Sequence, residues 1–261
     1  MSMLSFAQNW EDVWLRRAFP GQHTGFFVDV GANDPVIDSV TKHFYDSGWH
    51  GINVEPLQGC YKRLAAARTR DLNLHIGLSN REGSLTFHEV PLGDGWSTFS
   101  TALADSFRQQ NIAVIEHSVP VSTLAKILDK HAEGAIDFLK IDVEGHEREV
   151  IEGGNWQRWR PRVVLVEAGD PSSWEPTLLA ASYLFAAFDG INRYYVRGEE
   201  PQLLGAFQRP VCSLDDFISY RHQFIIDDLQ RQVTRLESKL GPVGKLRNQG
   251  RSILRRLLKA G

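Results

Sequence analysis

Cysteine is scarce in this chain. Cys60 and Cys212 are the two present among 261 residues, and they lie far apart. They form no disulfide framework and have no zinc-ligand spacing, as expected of a chain kept in a reducing cytoplasm. No apolar run is long enough to span a bilayer. Residues 1–19 lack a basic start and an apolar core and carry Glu11 and Asp12, so no secretory signal is expected there. An excess of one charge is also missing. Lys and Arg number 29 against 32 Asp and Glu, a net charge of −3, and no nucleic-acid partner is expected. Internal repeats and low-complexity segments are absent. The length suits one sizeable α/β domain with appendages.

The most informative stretch is 26–35, FFVDVGANDP. Phe26, Phe27, Val28 and Val30 read as a buried strand that stops at a small-residue turn. Gly31 and Ala32 allow a sharp turn and close approach of a ligand. Val40, Phe44 and Tyr45 then continue at helical spacing. Strand, tight turn and helix is the opening unit of a nucleotide-binding α/β fold. A second strand, Gly51 to Val54, ends at Glu55-Pro56, where such folds grip ribose hydroxyls with a carboxylate. The three spaced glycines of a dinucleotide fingerprint are lacking, since Asn33, Asp34 and Pro35 follow Gly31. A pyrophosphate would be repelled by Asp29 and Asp34. A cofactor with a ribose and a positive centre would not be, and S-adenosylmethionine fits that description.

Before this unit, Phe6, Trp10, Val13 and Trp14 predict a helix ended by Gly21, which either lids the domain or sets Gln8, Asn9, Glu11 or Asp12 over the cofactor pocket. After it, residues 72–76 alternate as a third strand, and Ser79 with the Gly77 backbone becomes a candidate for the adenosine side. Residues 85–90 read as a further strand in a hairpin across Arg81-Glu82-Gly83. Residues 91–100 form a polar, Gly-rich loop that either closes over a polar acceptor or is a surface excursion. Residues 102–110 predict a helix and 114–121 a strand, with Ser122 or Thr123 capping the next helix.

The second informative stretch is 135–147, AIDFLKIDVEGHE. It is a strand whose carboxyl end delivers Asp142, Glu144 and His146. Lys140, inside an apolar strand, needs a partner, and Asp142 or Glu144 would supply it. Residues 162–168 form another apolar strand, ending in Glu167. Residues 183–188 and 193–196, joined across Asp189-Gly190, predict a final antiparallel hairpin. In the tail, Leu229, Val233, Leu236 and Leu240 make a short heptad seam, expected to hold a homo-oligomer. Beyond it, Lys245, Arg247, Arg251, Arg255, Arg256 and Lys259 lie among leucines as a basic amphipathic helix, for an anionic membrane surface or an acidic partner.

FVDVGAND at 27–34, NVEP at 53–56 and FLKIDVEGHE at 138–147 resemble the FkbM family of S-adenosylmethionine-dependent methyltransferases. AQNWEDVW at 7–14 and FDGINRYYV at 188–196 are similar to segments flanking its core. The resemblance implies a Rossmann-like methyltransferase fold, a mostly parallel sheet with a C-terminal antiparallel hairpin, followed here by a helical, coiled tail. The expected divisions are a lead-in at 1–24, a methyltransferase domain at 25–200, a connector at 201–221 and a tail at 222–261. It implies methyl transfer to an oxygen, often a hydroxyl of a sugar or natural product. Asp29, Gly31, Ala32, Asn33 and Glu55 are carried over as cofactor contacts, and Asp142 and Glu144 as site residues.

A hydroxyl acceptor requires proton removal during attack. His146 has the ordinary pKa for a base, and Asp142, Glu144 and Glu167 are its rivals. The carboxylates would alternatively hold Mg²⁺. The expected function is O-methylation of a saccharide or surface glycan in the cytoplasm, peripheral to the inner membrane face. The other classes are an NAD-linked oxidoreductase, weakened by the missing glycines, and a non-catalytic scaffold presenting the coil.

Overall fold

The computed structural model describes residues 2–93 and 95–239. Residues 5–217 pack as one unit, and residues 2–4 and 218–239 belong to a second, smaller one. In chain order the first elements are β1 (Met3–Ser5), α1 (Glu11–Ala18), β2 (Phe26–Val30), α2 (Lys42–Asp46), β3 (His50–Val54) and α3 (Gln58–Ala67). Then come β4 (Leu72–Leu74), β5 (Gly77–Leu78), β6 (Gly83–Glu89), α4 (Thr101–Gln109), β7 (Ile115–Ser122) and α5 (Leu124–His131). The last are β8 (Phe138–Ile141), α6 (Glu147–Glu152), β9 (Val163–Glu167), α7 (Glu175–Ala180), β10 (Tyr183–Phe188), β11 (Asn192–Arg197), β12 (Phe217–Ser219) and α8 (Tyr220–Lys239).

The main sheet has seven strands in the order β10-β11-β9-β8-β2-β3-β4. β4, β3, β2, β8 and β9 run parallel, while β11 and β10 close the sheet antiparallel. This is the expected α/β architecture with its terminal hairpin. The parallel strands are apolar on both faces because helices cover both. On one face Val28, Val30, Ile52, Val54, Leu139 and Ile141 pack with Leu124, Ile127, Val150 and Leu178 from α5, α6 and α7. On the other, Phe27, Phe138, Val163 and Tyr194 pack with Trp14, Leu15 and Phe19 from the α1 region. The helix expected as a lead-in is therefore part of the core. Burying a side chain such as Phe27 or Phe138 contributes about 1.5–3 kcal/mol. Thr123 caps α5, its hydroxyl accepting the Lys126 N–H at 3.2 Å.

Two expectations are corrected. β6 makes no hairpin across residues 81–83. It pairs antiparallel with β7, and β5 joins β7 on the other side to form a separate three-stranded sheet. Nor does a helix start directly behind Gly31. The chain runs irregularly to α2 at Lys42, with Asn33 and Asp38 at positive φ of 47° and 56°. Asp34 accepts the N–H groups of Val36 and Ile37, and the buried Arg68 guanidinium donates to the Pro35 carbonyl and the Ser39 hydroxyl. In the smaller unit β1 pairs with β12, and α8 follows. Leu229, Val233 and Leu236 lie on α8, whereas Leu240 and the basic segment 245–259 fall outside the described residues.

One row of the sheet is polar where its neighbours are apolar. Lys140 of β8 stands beside Asp29 of β2, and Asn53 of β3 stands on the other side of Asp29. The Lys140 ammonium lies 3.3 Å from Asp29 Oδ1 and 3.2 Å from Asp142 Oδ2, and donates to the Gly31 carbonyl at 2.8 Å. Burial opposes its charge, but Asp142 and Asp29 outweigh that and hold its pKa above the ordinary lysine value. Asp29 is 1% exposed, so removing Lys140 would strand a buried carboxylate. Lys140→Met should lower stability by about 3–5 kcal/mol, the scale for breaking a buried pair. Adding Asp29→Asn should recover part of the loss. An unchanged urea midpoint in the single variant would show that the ammonium does not carry this row.

Candidate active site

The carboxyl ends of β2, β3, β8 and β9 converge on one cavity of about 450 Å³. Chain order reverses between β2 and β8, and a crevice at such a switch point is where ligands bind in open α/β sheets. The ladder continues into its floor. Gly31 and Ala32 donate to the Val54 carbonyl, and Asp142 donates its N–H to Val30. Gly31 has φ of +80°, and a Cβ there would lie 1.8 Å from the Asp142 carbonyl oxygen, so the close approach of β2 and β8 requires glycine.

On one side of the cavity sits Glu55, 5% exposed. Its two oxygens accept the N–H groups of Asn33 at 2.8 Å and Leu57 at 2.7 Å. Burial pushes its pKa up to about 7, against the pull of those hydrogen bonds and of Lys140. On the other side, one oxygen each from Asp142, Glu144 and Glu167 lies within 4.8 Å of the others. Burial, then Asp142 and Glu147, raises Glu144 to about 8. Burial, then Asp142 and Glu144, raises Glu167 to about 9. Glu144 reaches the cavity because its own φ is +52° and Gly145 follows at +86°. The Thr98 hydroxyl holds that bend through the Glu144 carbonyl at 2.5 Å.

The N-terminal segment closes the acidic side. Gln8 and Glu11 line the cavity. Glu11 accepts the Asn192 amide at 2.8 Å and the Asn9 N–H at 2.8 Å, and burial raises it to about 7. Asn192 in β11 stands directly opposite Glu167 in β9. Asp12 does not line the cavity, since it takes the Ser5 hydroxyl and the Phe6 N–H instead.

Of the residues picked out in the sequence, Gly31, Ala32, Asn33, Glu55, Asp142, Glu144 and Glu167 share the cavity. Asp29 lies beneath it, held by Lys140 and the Thr41 hydroxyl. Ser79 and His146 do not line it. His146 Nε2 lies 3.2 Å from the Ser79 hydroxyl, Nδ1 lies 3.4 Å from Glu149, and the ring packs on Phe99. His146, expected at the acceptor, and Ser79, expected at the adenosine, thus lie outside the cavity lining and against each other. Lysine's partners are corrected: Asp142 was foreseen, Asp29 was not, and Glu144 is not among them. Lys140 itself and Asn192 are cavity residues that sequence reading missed. The strand register opposite Glu167 is the signal that places Asn192.

The model of the FkbM methyltransferase domain matches residues 29–194. The chain belongs to the FkbM methyltransferase family. The match begins at Asp29 and spans all the parallel strands that build the cavity floor except the first residues of β2. A relative, methyltransferase sdnD of Sordaria araneosa, is 28% identical over 185 residues, covering 59% of this chain and 70% of that protein. The family makes the chain a methyltransferase, and the strand-end cavity is the candidate site for that reaction.

The raised carboxyls couple the site to folding. Asp12 and Asp71 are raised to about 6, Glu11 and Glu55 to about 7, Glu144 to about 8 and Glu167 to about 9, each chiefly by burial. Each binds its proton more tightly folded than unfolded. Its contribution is therefore full below the unfolded pKa and is lost as pH rises through the folded one. Stability should fall between about pH 5 and about pH 9. Glu144→Gln with Glu167→Gln should flatten the upper part of that fall. Urea midpoints that rise over this range would overturn the assignment.

Proposed function

We propose that this methyltransferase moves a methyl group from S-adenosylmethionine to a hydroxyl oxygen of a saccharide or similar polyol. The observation that carries the reading is the cavity's division between Glu55 on one side and the Asp142, Glu144 and Glu167 carboxyls on the other. Each Glu55 oxygen already accepts one backbone N–H and keeps a lone pair for a ribose hydroxyl. Pro56 and Leu57, beside it, offer apolar surface to a nucleobase. S-adenosylmethionine would supply an electrophilic methyl and leave as a neutral thioether. The chain's own task is to hold the acceptor oxygen in line and take its proton.

Glu144 and Glu167 suit that task. A carboxylate with a raised pKa is a stronger base than an ordinary one, and the two share one charge-crowded spot. Asp142 is already engaged by Lys140, which leaves the two glutamates as the proton acceptors. The same engagement argues for a proton-accepting role over Mg²⁺ binding, and activity should survive a chelator. Among the described residues the cavity wall carries six carboxyl groups, Glu11, Asp38, Glu55, Asp142, Glu144 and Glu167, against the single ammonium of Lys140. That balance favours a neutral or amino-bearing acceptor over a phosphorylated one. It also disfavours the pyrophosphate of NAD, the competing cofactor.

Glu55→Ala should weaken S-adenosylmethionine binding by about 1.5–3 kcal/mol, the scale for losing charge-assisted hydrogen bonds. Calorimetry with S-adenosylmethionine and NAD in parallel tests both assignments, and tight NAD binding without a response to S-adenosylmethionine would sink the proposal.

The base must be unprotonated, so kcat should rise with pH across about 7 to 9 and then level off. Glu144→Gln or Glu167→Gln should cut turnover by about 10²-fold and flatten that rise, with cofactor affinity little changed. His146→Ala should leave the pH profile in place. Labelled S-adenosylmethionine incubated with fractionated cell glycans provides the assay, and a pH-independent rate would remove both glutamates from proton transfer.

A further inference from the structure

We infer that α8 is one strand of a parallel, two-stranded coiled coil formed with a second copy of this chain. The helix runs from Tyr220 to Lys239 and leaves Ile226, Leu229, Val233 and Leu236 between 45% and 60% exposed. Their spacing is three, four and three, the alternation of a heptad seam. Ile226 and Val233 fall at the a positions, and Leu229 and Leu236 at d. β-branched residues at a with leucine at d favour two parallel strands over three or four. The seam extends one helical turn N-terminal to the stretch that sequence spacing singled out, because Ile226 joins it. Ile225, at g, widens it at that end, while Phe224 stands off at f with its ring 6.4 Å from that of Tyr220.

Several polar side chains of α8 bond within the helix, away from the seam. The Gln223 amide donates to Asp227 at 2.7 Å, the Gln232 amide to Asp228 at 2.7 Å, and the Thr234 hydroxyl to the Gln230 carbonyl at 2.9 Å. By sequence the flanking e and g positions are Gln223, Gln230 and Glu237 at e, and Ile225, Gln232 and Lys239 at g, so the g-to-e pairs across a parallel dimer are Ile225 with Gln230 and Gln232 with Glu237. Charges at those positions normally choose a foreign partner. Neither pair sets like charges face to face in a homodimer. A membrane is a poorer fit for this face. Arg221, Arg231, Arg235 and Lys239 are nearly balanced by Asp227, Asp228 and Glu237, whereas interfacial helices carry a basic polar face. A helix of this length, about 30 Å, presents two full heptads to its partner.

Sedimentation equilibrium of the full chain tests the inference. The expected mass is twice the 29.5 kDa of one chain. Leu229→Glu with Leu236→Glu should return a single-chain mass, with thermal unfolding of the larger unit unchanged. Leu236→Cys should cross-link readily under mild oxidation, beyond the background of Cys60 and Cys212 in the unsubstituted chain, because parallel strands set the two d residues side by side. A monomeric full chain, a trimer, or a dimer that survives the double substitution would each overturn the proposal. A dimer whose Leu236→Cys variant fails to cross-link would overturn the parallel arrangement. A monomer that pellets with phosphatidylserine vesicles, and no longer does so with Leu229→Glu and Leu236→Glu, would assign the face to a membrane instead. None of these outcomes depends on the cofactor assignment.

Discussion

An ammonium group buried in the middle of the sheet fixes where the site can be. Lys140 reaches from β8 to the carbonyl of Gly31 at the end of β2, and it touches Asp29 and Asp142 on the way. Asp29 in turn takes the Thr41 hydroxyl, which anchors the far end of the irregular segment behind Gly31. One cation thus ties the turn after the first parallel strand to the strand end that carries the acidic cluster. Its neighbours are rigid strands buried on both faces. A partly neutralised pair in such a place is worth little as net stability. Its effect is positional, because β2 and β8 can only close over the ammonium in one register, and Gly31 lies there against the Asp142 carbonyl.

The cavity above this pair concentrates carboxyl groups, and the fold accommodates them through their protons. Burial raises Glu144 and Glu167, and the neighbouring Asp142 raises both further. Glu11 and Glu55 rise toward neutrality on opposite walls. Such a site has a strong demand for positive charge, met either by tightly held protons or by a cation that takes their place. Under the proposed chemistry a sulfonium meets that demand before transfer and a neutral thioether no longer meets it afterwards. The same electrostatics that draws the cofactor in would then favour release of the spent form.

The main sheet was legible because its strands are short apolar runs that end in recognisable groups: glycine after β2, glutamate after β3, aspartate after β8 and glutamate as the last residue of β9. The Asp189-Gly190 turn announced the final hairpin, and β10 and β11 flank it. The small second sheet was not legible. Residues 81–83 look like a local turn, yet the partner of β6 is β7, with α4 between them in sequence, and nothing in a period-two pattern names a partner across such a gap. The site was half legible for a similar reason. Period two ends with the strand at Ile141, and beyond it the facing of each side chain depends on backbone angles. Two successive left-handed residues, Glu144 and Gly145, turn Glu144 into the cavity and His146 out toward Ser79. Residue type singled out His146, and backbone geometry set Glu144 in the cavity lining instead.

The segment behind Gly31 departs furthest from expectation, and the departure bears on ligand choice. A strand–turn–helix unit brings the first N–H groups and the positive dipole end of a helix to the ligand, which suits a phosphate. Here Asn33 and Asp38 adopt left-handed angles, Asp34 takes the N–H groups of Val36 and Ile37, and regular helix begins only at Lys42. The Asn33 N–H is given to Glu55 instead of being left for an anion. Local donors that would cradle a pyrophosphate are therefore spent on the protein's own carboxylates. A ribose gripped by Glu55 needs no such cradle. The irregular segment and the acidic cavity reach the same result by separate means, since one withholds donors from anions and the other repels them.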